Sequence, residues 1–501
     1  MSEIKLPKLK PLSKRVKKKK ILLLSDDLRL HSGIATMSRE IVTGTAHEFD
    51  WLQLGAAIKH PDTGKIVDLS EDIEKRRGID NVDVRVMPWS GYGNPQILRH
   101  LLRTEKPDAI LHFTDPRFWG WLYDMETEIR QTCPIMYYAI WDDTPVPHWN
   151  ASAYESCDLI MGISKQSHNI HKLALADRDV TIHDWNIEDK PTSSEGKRDL
   201  YVDYVPHGVP SDQFYPITPD SPDYGEFVEF NNNLLEQHGV DFIVFWNNRN
   251  IRRKQPGDVI LAYKEFCEKY LKPDEASRCM LLMHTQGRDE NGTDLPAVIN
   301  ALCPNLKVVI DNQKVSTKVL NFLYNVSDVT LNIASNEGFG LSSLESIMSG
   351  TPIVNNVTGG LQDQLRFRDD KGNWIEFDET VTSNHTGIYK ECGEWGIPVF
   401  PASRSLQGSI PTPYIFDDRC KFEDVGQAIY KWYAMGDEER KRRGLVGRDW
   451  VMSEESRMSA VNMSNRFVQD INKLLKVWKP KARYSMYKVA DKKPFKHIGI
   501  V

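Results

Sequence analysis

Two glutamates, Glu337 and Glu345, stand eight positions apart in the stretch SNEGFGLSSLESIMSGTPIV, with Gly338 and Gly340 between them. Carboxylates so placed can offset the dipole of a following helix. They can also grip hydroxyl groups of a ligand whose anionic part rests on the helix N-terminus. The spacing of Leu344, Ile347 and Met348 predicts that helix, ending at Ser349 and Gly350 before a strand-like TPIV. Its approach offers backbone N–H groups from Gly338, Phe339, Gly340 and Leu341 to a phosphate. Upstream, WNNRNIRRK supplies Arg249, a planar fork of donors, and Lys254, a mobile point charge. That pair suits a diphosphate. The alternative is that both cap a helix or pair with surface acids, and Arg252 and Arg253 are read as solvated. Gly33, in the first loop, either lets the backbone approach a ligand or makes a plain tight turn. Asp142 and Asp143, in MYYAIWDDTPVPHW, either contact a ligand or cap a helix. His112 reads as a core histidine and His207 as a hinge-turn residue.

Strands and helices must alternate to position these groups. KILLLSDD, DAILHF, PIMYYAI and CDLIMGIS are short apolar runs, and IATMSREIVTGTA, ILRHLLRTEK and KQSHNIHKLAL have helical spacing. A second series starts at FIVFWNN and runs through CMLLMHT, KVVID and VTLNIAS. Such alternation argues for parallel sheets covered on both faces. The expected organisation is a basic arm over 1–20, a first Rossmann-like domain over 21–215, a linker near 210–240 and a second Rossmann-like domain over 238–455. A last segment, 456–501, holds an amphipathic helix and a basic tail. Residues 177–198 read as a polar loop, and 366–418 as a loop-rich insertion.

Composition, 40% hydrophobic and 27% charged over 501 residues, is that of a globular protein. Seven scattered cysteines form no C-x-x-C pair, which favours a reducing, cytoplasmic setting. No apolar run approaches the roughly 18–20 residues that span a bilayer, and the run after the basic N-terminus is too short for a signal peptide. Net charge is uneven. Residues 1–20 and 473–501 each carry +8, which against −6 for the whole chain leaves −22 on the body. Basic ends on an acidic body point to an anionic partner or to solvated tails without one.

The motifs resemble those of retaining, nucleotide-sugar-dependent glycosyltransferases of the family 4 or group 1 type, which have the two-domain GT-B fold. Glu337 to Glu345 resembles the family's E-x7-E signature, and Arg249 with Lys254 its diphosphate-binding pair. VPHGVPSDQFYP is similar to its strand and turn leading into the linker, and SCDLIMGISKQS to its last N-domain strand and helix. The resemblance covers roughly residues 20–365 and, less clearly, 415–478. It implies an α/β protein with two doubly wound domains facing across a cleft, and an enzyme that moves a sugar from a nucleotide sugar, expected to be UDP-linked, to a hydroxyl. Glu337 would then hold the transferred sugar and Glu345 the ribose. The metal-binding Asp-x-Asp of GT-A enzymes has one counterpart, Asp177-Arg178-Asp179, in a polar loop. No metal and no cofactor are therefore expected, because Arg249, Lys254 and a helix N-terminus can neutralise the leaving diphosphate. The chain departs from the family where Trp141-Asp142-Asp143 replaces the customary histidine, which suggests a donor with a changed or missing C6 group, such as a pentose.

In general texture the chain is also similar to bacteriophage enzymes that glycosylate modified cytosines. With two basic ends, DNA carrying hydroxymethylated cytosine is the expected acceptor, reached through Lys17, Lys18, Lys19, Lys20 and the C-terminal lysines. Polysaccharide, lipid-linked and small-molecule acceptors are the alternatives within the same fold. A nucleotide-sugar epimerase and a degenerate, non-enzymatic scaffold are the others.

Overall fold

The computed structural model describes residues 17–186, 197–376 and 391–482. In the first half, β1 (Lys19–Asp26), β2 (Phe49–Ala56), β3 (Val67–Asp68), β4 (Val84–Pro88), β5 (Ala109–Phe113), β6 (Ile135–Ala139), β7 (Leu159–Gly162), β8 (Val180–Asp184) and β9 (Arg198–Tyr204) form one sheet. Its order is β3-β4-β2-β1-β5-β6-β7-β9-β8. All pairings are parallel except that of β3 with β4. The central strands are buried on both faces, which is why β1 reads as ILLLS and β6 as IMYYA rather than as alternating patterns. Helix α1 (Gly33–Thr45) follows β1, and α2 (Lys165–Leu175) follows β7. Ser32 and Ser164 cap them by accepting hydrogen bonds from the N–H groups of Ala35 and Ser167.

The second half repeats the plan with β10 (Phe242–Asn247), β11 (Cys279–His284), β12 (Val308–Asp311), β13 (Val329–Asn332), β14 (Ile353–Asn356) and β15 (Gly396–Val399). The order β12-β11-β10-β13-β14-β15 is parallel throughout. Helices α3 (Thr317–Val326), α4 (Leu341–Met348) and α5 (Leu361–Leu365) cover it towards the first domain. An antiparallel hairpin, β16 (Ser403–Ser409) and β17 (Thr412–Arg419), stands apart from both sheets. The last helix, α6 (Ala460–Val477), returns to the first domain. There the Phe467 ring meets Tyr138 edge-on at 4.9 Å, and Arg466 pairs with Asp203. In both sheets the strand order reverses beside the first strand, at β1/β5 and β10/β13. Loops leaving the C-terminal ends of those strands are where open α/β sheets bind ligands.

Four sequence expectations are corrected. VTIHD, within the expected polar loop 177–198, forms β8; only Val180 of the strand is buried, so no apolar run announced it. Helix Tyr224–His238, with no buried residue, occupies the expected linker. The expected loop-rich insertion contains β15 and the hairpin; residues 377–390 lie outside the described residues. The expected arm over 1–20 ends earlier, because Lys19 and Lys20 begin β1. Residues 1–16 and 483–501, which carry most of the two basic segments, lie outside the described residues.

Candidate active site

Two chambers meet between the domains. The larger share of predicted residues lines the first, of about 780 Å³: Gly33, Asp142, Arg249, Lys254, Glu337 to Leu341 and Glu345 all face it. Its floor is the loop between β13 and α4. Gly340 ends that loop at φ +92°, a left-handed conformation that disfavours any side chain, and serves as the N-cap without a side-chain hydrogen bond. Helix α4 therefore opens towards the chamber with the N–H groups of Leu341 and Ser342 outside its own ladder. The Ser342 hydroxyl is buried beside them with no hydrogen-bond partner. Gly338 is needed for a different reason: a Cβ there would stand 2.8 Å from Asp142 Oδ1 and 3.0 Å from the Ile140 carbonyl. The two domains approach at that point through a missing side chain.

Glu337 is 8% exposed and sits in a cage of cations. The Lys254 ammonium and the Arg253 guanidinium both donate to its Oε2, Arg253 at 3.1 Å. Arg253 also donates to the Asn336 carbonyl at 2.9 Å. Burial, and then the charge of Arg253, push the Lys254 ammonium well below its ordinary pKa, while Asp142 raises it. The direct pair with Glu337 opposes the fall. Arg249 is more open, with 64% of its side chain exposed, and pairs with Asp289 at 2.9 Å. Glu345 accepts a hydrogen bond from the Tyr324 hydroxyl at 2.7 Å, and that hydroxyl accepts one from Asn247 Nδ2 at 2.9 Å. Burial lifts the Glu345 carboxyl up to about 7, and the Tyr324 hydrogen bond works against that rise.

On the facing domain, Gly33 opens α1 behind the Ser32 cap. A Cβ at Gly33 would reach Leu341 Cδ1 at 3.7 Å, so the residue brings its helix N-terminus close to that of α4. Asp142 leaves the end of β6 and lines both chambers. Its carboxylate has no hydrogen bond or ion pair among the described residues.

The remaining expected residues lie elsewhere, and His112 is in the core as expected. Asp143 is fully buried and serves as an internal acceptor for Thr144 N–H at 2.6 Å and Gln166 Nε2 at 2.7 Å, so it is not an acceptor-binding group. Lys18 donates to the carbonyls of Ala46 and Asn81, at 2.8 and 2.7 Å. Lys19 pairs with Asp108, and Lys20 with Glu105, each at 2.9 Å. These three lysines fasten the start of β1 to its neighbours, at the sheet rim away from the cleft. Lys17 is exposed at that same rim. His112 is a core residue, bonded through Nδ1 to the Tyr123 hydroxyl at 2.6 Å. His207 lines the first chamber rather than a free hinge: its Nδ1 meets the Tyr138 hydroxyl at 2.8 Å and its ring the edge of Phe339 at 5.1 Å. Burial drives its pKa down to about 3, so it is neutral.

Sequence reasoning missed Arg253, Tyr324 and Ser342. The first was visible in IRRK but taken as solvated. The other two carry no motif of their own; Tyr324 reads as one aromatic on an amphipathic helix. Among the described residues, no group of three or more His, Cys, Asp or Glu side chains is placed to hold a metal ion. No described helix is long and apolar enough to cross a membrane.

No protein-family model matches the chain, and no curated protein matches it. Solved structures do. HepE of Anabaena in complex with UDP and glucose superposes with a TM-score of 0.58 at 12% identity, covering 91% of this chain and 100% of that one. Sucrose-phosphate synthase of Thermosynechococcus elongatus gives 0.58 at 14% identity, covering 92% and 100%. The α,α-trehalose 6-phosphate synthase of Burkholderia multivorans gives 0.59 at 13% identity, covering 92% and 99%. Likeness at this identity speaks for architecture, and it extends over almost the whole length of each partner. The chain has the GT-B fold, two Rossmann-like domains facing across a cleft.

Proposed function

We propose that the protein is a retaining glycosyltransferase that moves a sugar from a UDP-sugar to a hydroxyl acceptor without a metal ion. One observation carries this reading: Glu337, held by Lys254 and Arg253, stands next to the uncapped N-terminus of α4, with Glu345 one helical step further on. The fold's neighbour in complex with UDP and glucose supports the donor class. Arg249, Lys254 and the N–H groups of Leu341 and Ser342 bind the diphosphate and neutralise the charge that grows as it leaves. Glu337 accepts hydrogen bonds from hydroxyls of the transferred sugar, and Glu345 from the ribose. On the same face, the acceptor oxygen bonds to the anomeric carbon as the bond from that carbon to the phosphate oxygen breaks. The acceptor proton passes to the departing diphosphate, and no protein base is required.

For the acceptor, the two basic segments on a body of −22 favour DNA with hydroxymethylated cytosine, as a bacteriophage enzyme working in the host cytoplasm would use. All seven cysteines are free thiols, which suits that reducing compartment. A second reading is a small-molecule or glycan acceptor within the same fold, whose neighbours include a sucrose-phosphate synthase and a trehalose 6-phosphate synthase. The test is incubation with UDP-glucose or UDP-arabinose and either hydroxymethylcytosine DNA or glucose 6-phosphate, with and without EDTA, read by mass spectrometry. Added sugar mass on one acceptor with the same yield in EDTA is expected. Activity restored only by added Mg²⁺ overturns the metal-free mechanism, and an epimerised donor with no acceptor product overturns transfer.

A further inference from the structure

The second chamber, of about 880 Å³, has a wall that no sequence motif announced. The β16–β17 hairpin forms it by crossing from one domain to the other. At its base, Asp417 accepts hydrogen bonds from Ser335 Oγ at 2.7 Å and Asn336 Nδ2 at 3.1 Å, the two residues before Glu337. Asp418 N–H donates to the Ser335 carbonyl at 2.8 Å. Further out, Phe416 N–H donates to the Thr144 carbonyl at 2.9 Å and the Tyr414 hydroxyl to the Val146 carbonyl at 3.1 Å. At the tip, Arg117 donates to the Pro411 carbonyl at 3.0 Å. The hairpin therefore joins the glutamate loop to the segment that carries Asp142. Both chambers share Ile140, Asp142, Arg249 and Arg253, so an acceptor lying in the second can present a hydroxyl to a sugar lying in the first.

The cations in this chamber are mostly spent. Arg117 pairs with Asp115, Arg249 with Asp289 and Arg253 with Glu337. Arg252 is the exception. It lines the second chamber and not the first, is exposed, and its guanidinium has no hydrogen bond or ion pair among the described residues. Its backbone is fixed all the same, because Arg252 N–H donates to the Asn291 carbonyl at 3.0 Å and Lys254, two residues on, is locked to Glu337. An uncommitted planar fork on a held backbone matches a phosphate. Glu290, next in the chain to Asn291, faces the same chamber and opposes an anion, so the arginine fork has to hold the phosphate against that charge.

Resting on the transferase reading above, we propose that the acceptor bears a phosphate group, which Arg252 binds in the hairpin-walled chamber while the acceptor hydroxyl hydrogen-bonds to Asp142. The phosphate can belong to a nucleotide or to a soluble sugar phosphate. The test is calorimetric titration of the full chain, saturated with UDP so that the diphosphate site is closed. The titrants are 5-hydroxymethyl-dCMP and its nucleoside, and glucose 6-phosphate and glucose. One phosphorylated compound is expected to bind at least about tenfold more tightly than its parent, and which one does so identifies the source. Arg252→Gln is expected to erase that preference while UDP affinity stays within about twofold. Equal binding of each phosphorylated compound and its parent, or a preference that survives Arg252→Gln, overturns the proposal. Absence of UDP binding to the unaltered protein would instead sink the transferase reading on which it rests.

Discussion

On the proposed reading, Glu345 ties a single ionisation to donor binding. Its carboxyl, lifted to about 7 by burial, holds a proton in the folded chain between roughly pH 4.5 and 7 that the unfolded chain has released. This group therefore favours folding at low pH, and its contribution is lost as pH rises through about 7. Hydroxyl donors from a ribose stabilise the ionised form instead, so binding releases a proton and affinity rises with pH up to about 7. Calorimetry of UDP-glucose near pH 7, in two buffers of different ionisation enthalpy, should register release of about half a proton. Glu345→Gln should abolish that release. A release unchanged in Glu345→Gln would place the titration elsewhere. At this scale, charge and spacing were legible in the sequence: Arg249, Lys254 and the two glutamates share one chamber. What was not legible is pairing. Nothing in RNIRRK says that Arg253 turns inward to Glu337 while Arg252 faces the other chamber, because one helical step separates them and the partner lies more than eighty positions away.

Elements were legible where burial is two-sided. A parallel strand covered on both faces needs apolar residues at every position, so β1, β5, β6 and β10 announce themselves as runs. The hairpin pairs an exposed strand, SRSLQGS, with a half-buried one, TPYIFDDR, and its contacts include backbone and polar bonds to distant loops. Only one short hydrophobic run marks it, so it reads as loop. The loop into α4 is the opposite case: the sequence pattern N-E-G-F-G was legible, and its reason is backbone geometry. Gly340→Ala must place a Cβ at φ +92°, 2.5 Å from Leu361 Cδ2. The left-handed conformation alone costs about 1–2 kcal/mol. Chemical denaturation should report a loss of at least that size, and UDP affinity should fall because the N–H groups of Leu341 and Ser342 lose their aim. A variant as stable as the parent would contradict the described turn.

At the scale of the whole molecule, the first and last described residues lie on a different face from the cleft. Lys19 starts β1, and Lys481 meets the Arg130 carbonyl and Glu126 near the starts of β6 and β7. Gly33 and Asp142 follow the opposite ends of β1 and β6. At about 3.3 Å per residue, the eight-residue β1 puts roughly 25 Å between the two rims. The sequence revealed the charge of the ends but not this placement, which depends on strand direction. On the proposed reading, the basic segments that begin at that rim tether a polyanion. Removing residues 1–16 keeps Lys18, Lys19 and Lys20 in their structural bonds and tests the tether cleanly. The log–log salt dependence of binding to duplex DNA should flatten by about 0.9 for each phosphate that the arm had neutralised, with UDP affinity unchanged. An unchanged slope would remove DNA from the arm's account.

The central claim is that the first chamber binds a nucleoside diphosphate through Arg249 and Lys254, and UDP titration by calorimetry tests it most directly. The unaltered chain should bind UDP at one site, and Arg249→Ala and Lys254→Ala should each weaken it by about 1.5–3 kcal/mol, the worth of a charge-assisted hydrogen bond. Thermal melts of both variants separate lost binding from lost folding, which matters for Lys254 because its removal leaves Glu337 with Arg253 alone. Weakened UDP binding by two folded variants is the result expected. Unchanged affinity in both, or no UDP binding by the unaltered chain, would contradict the account.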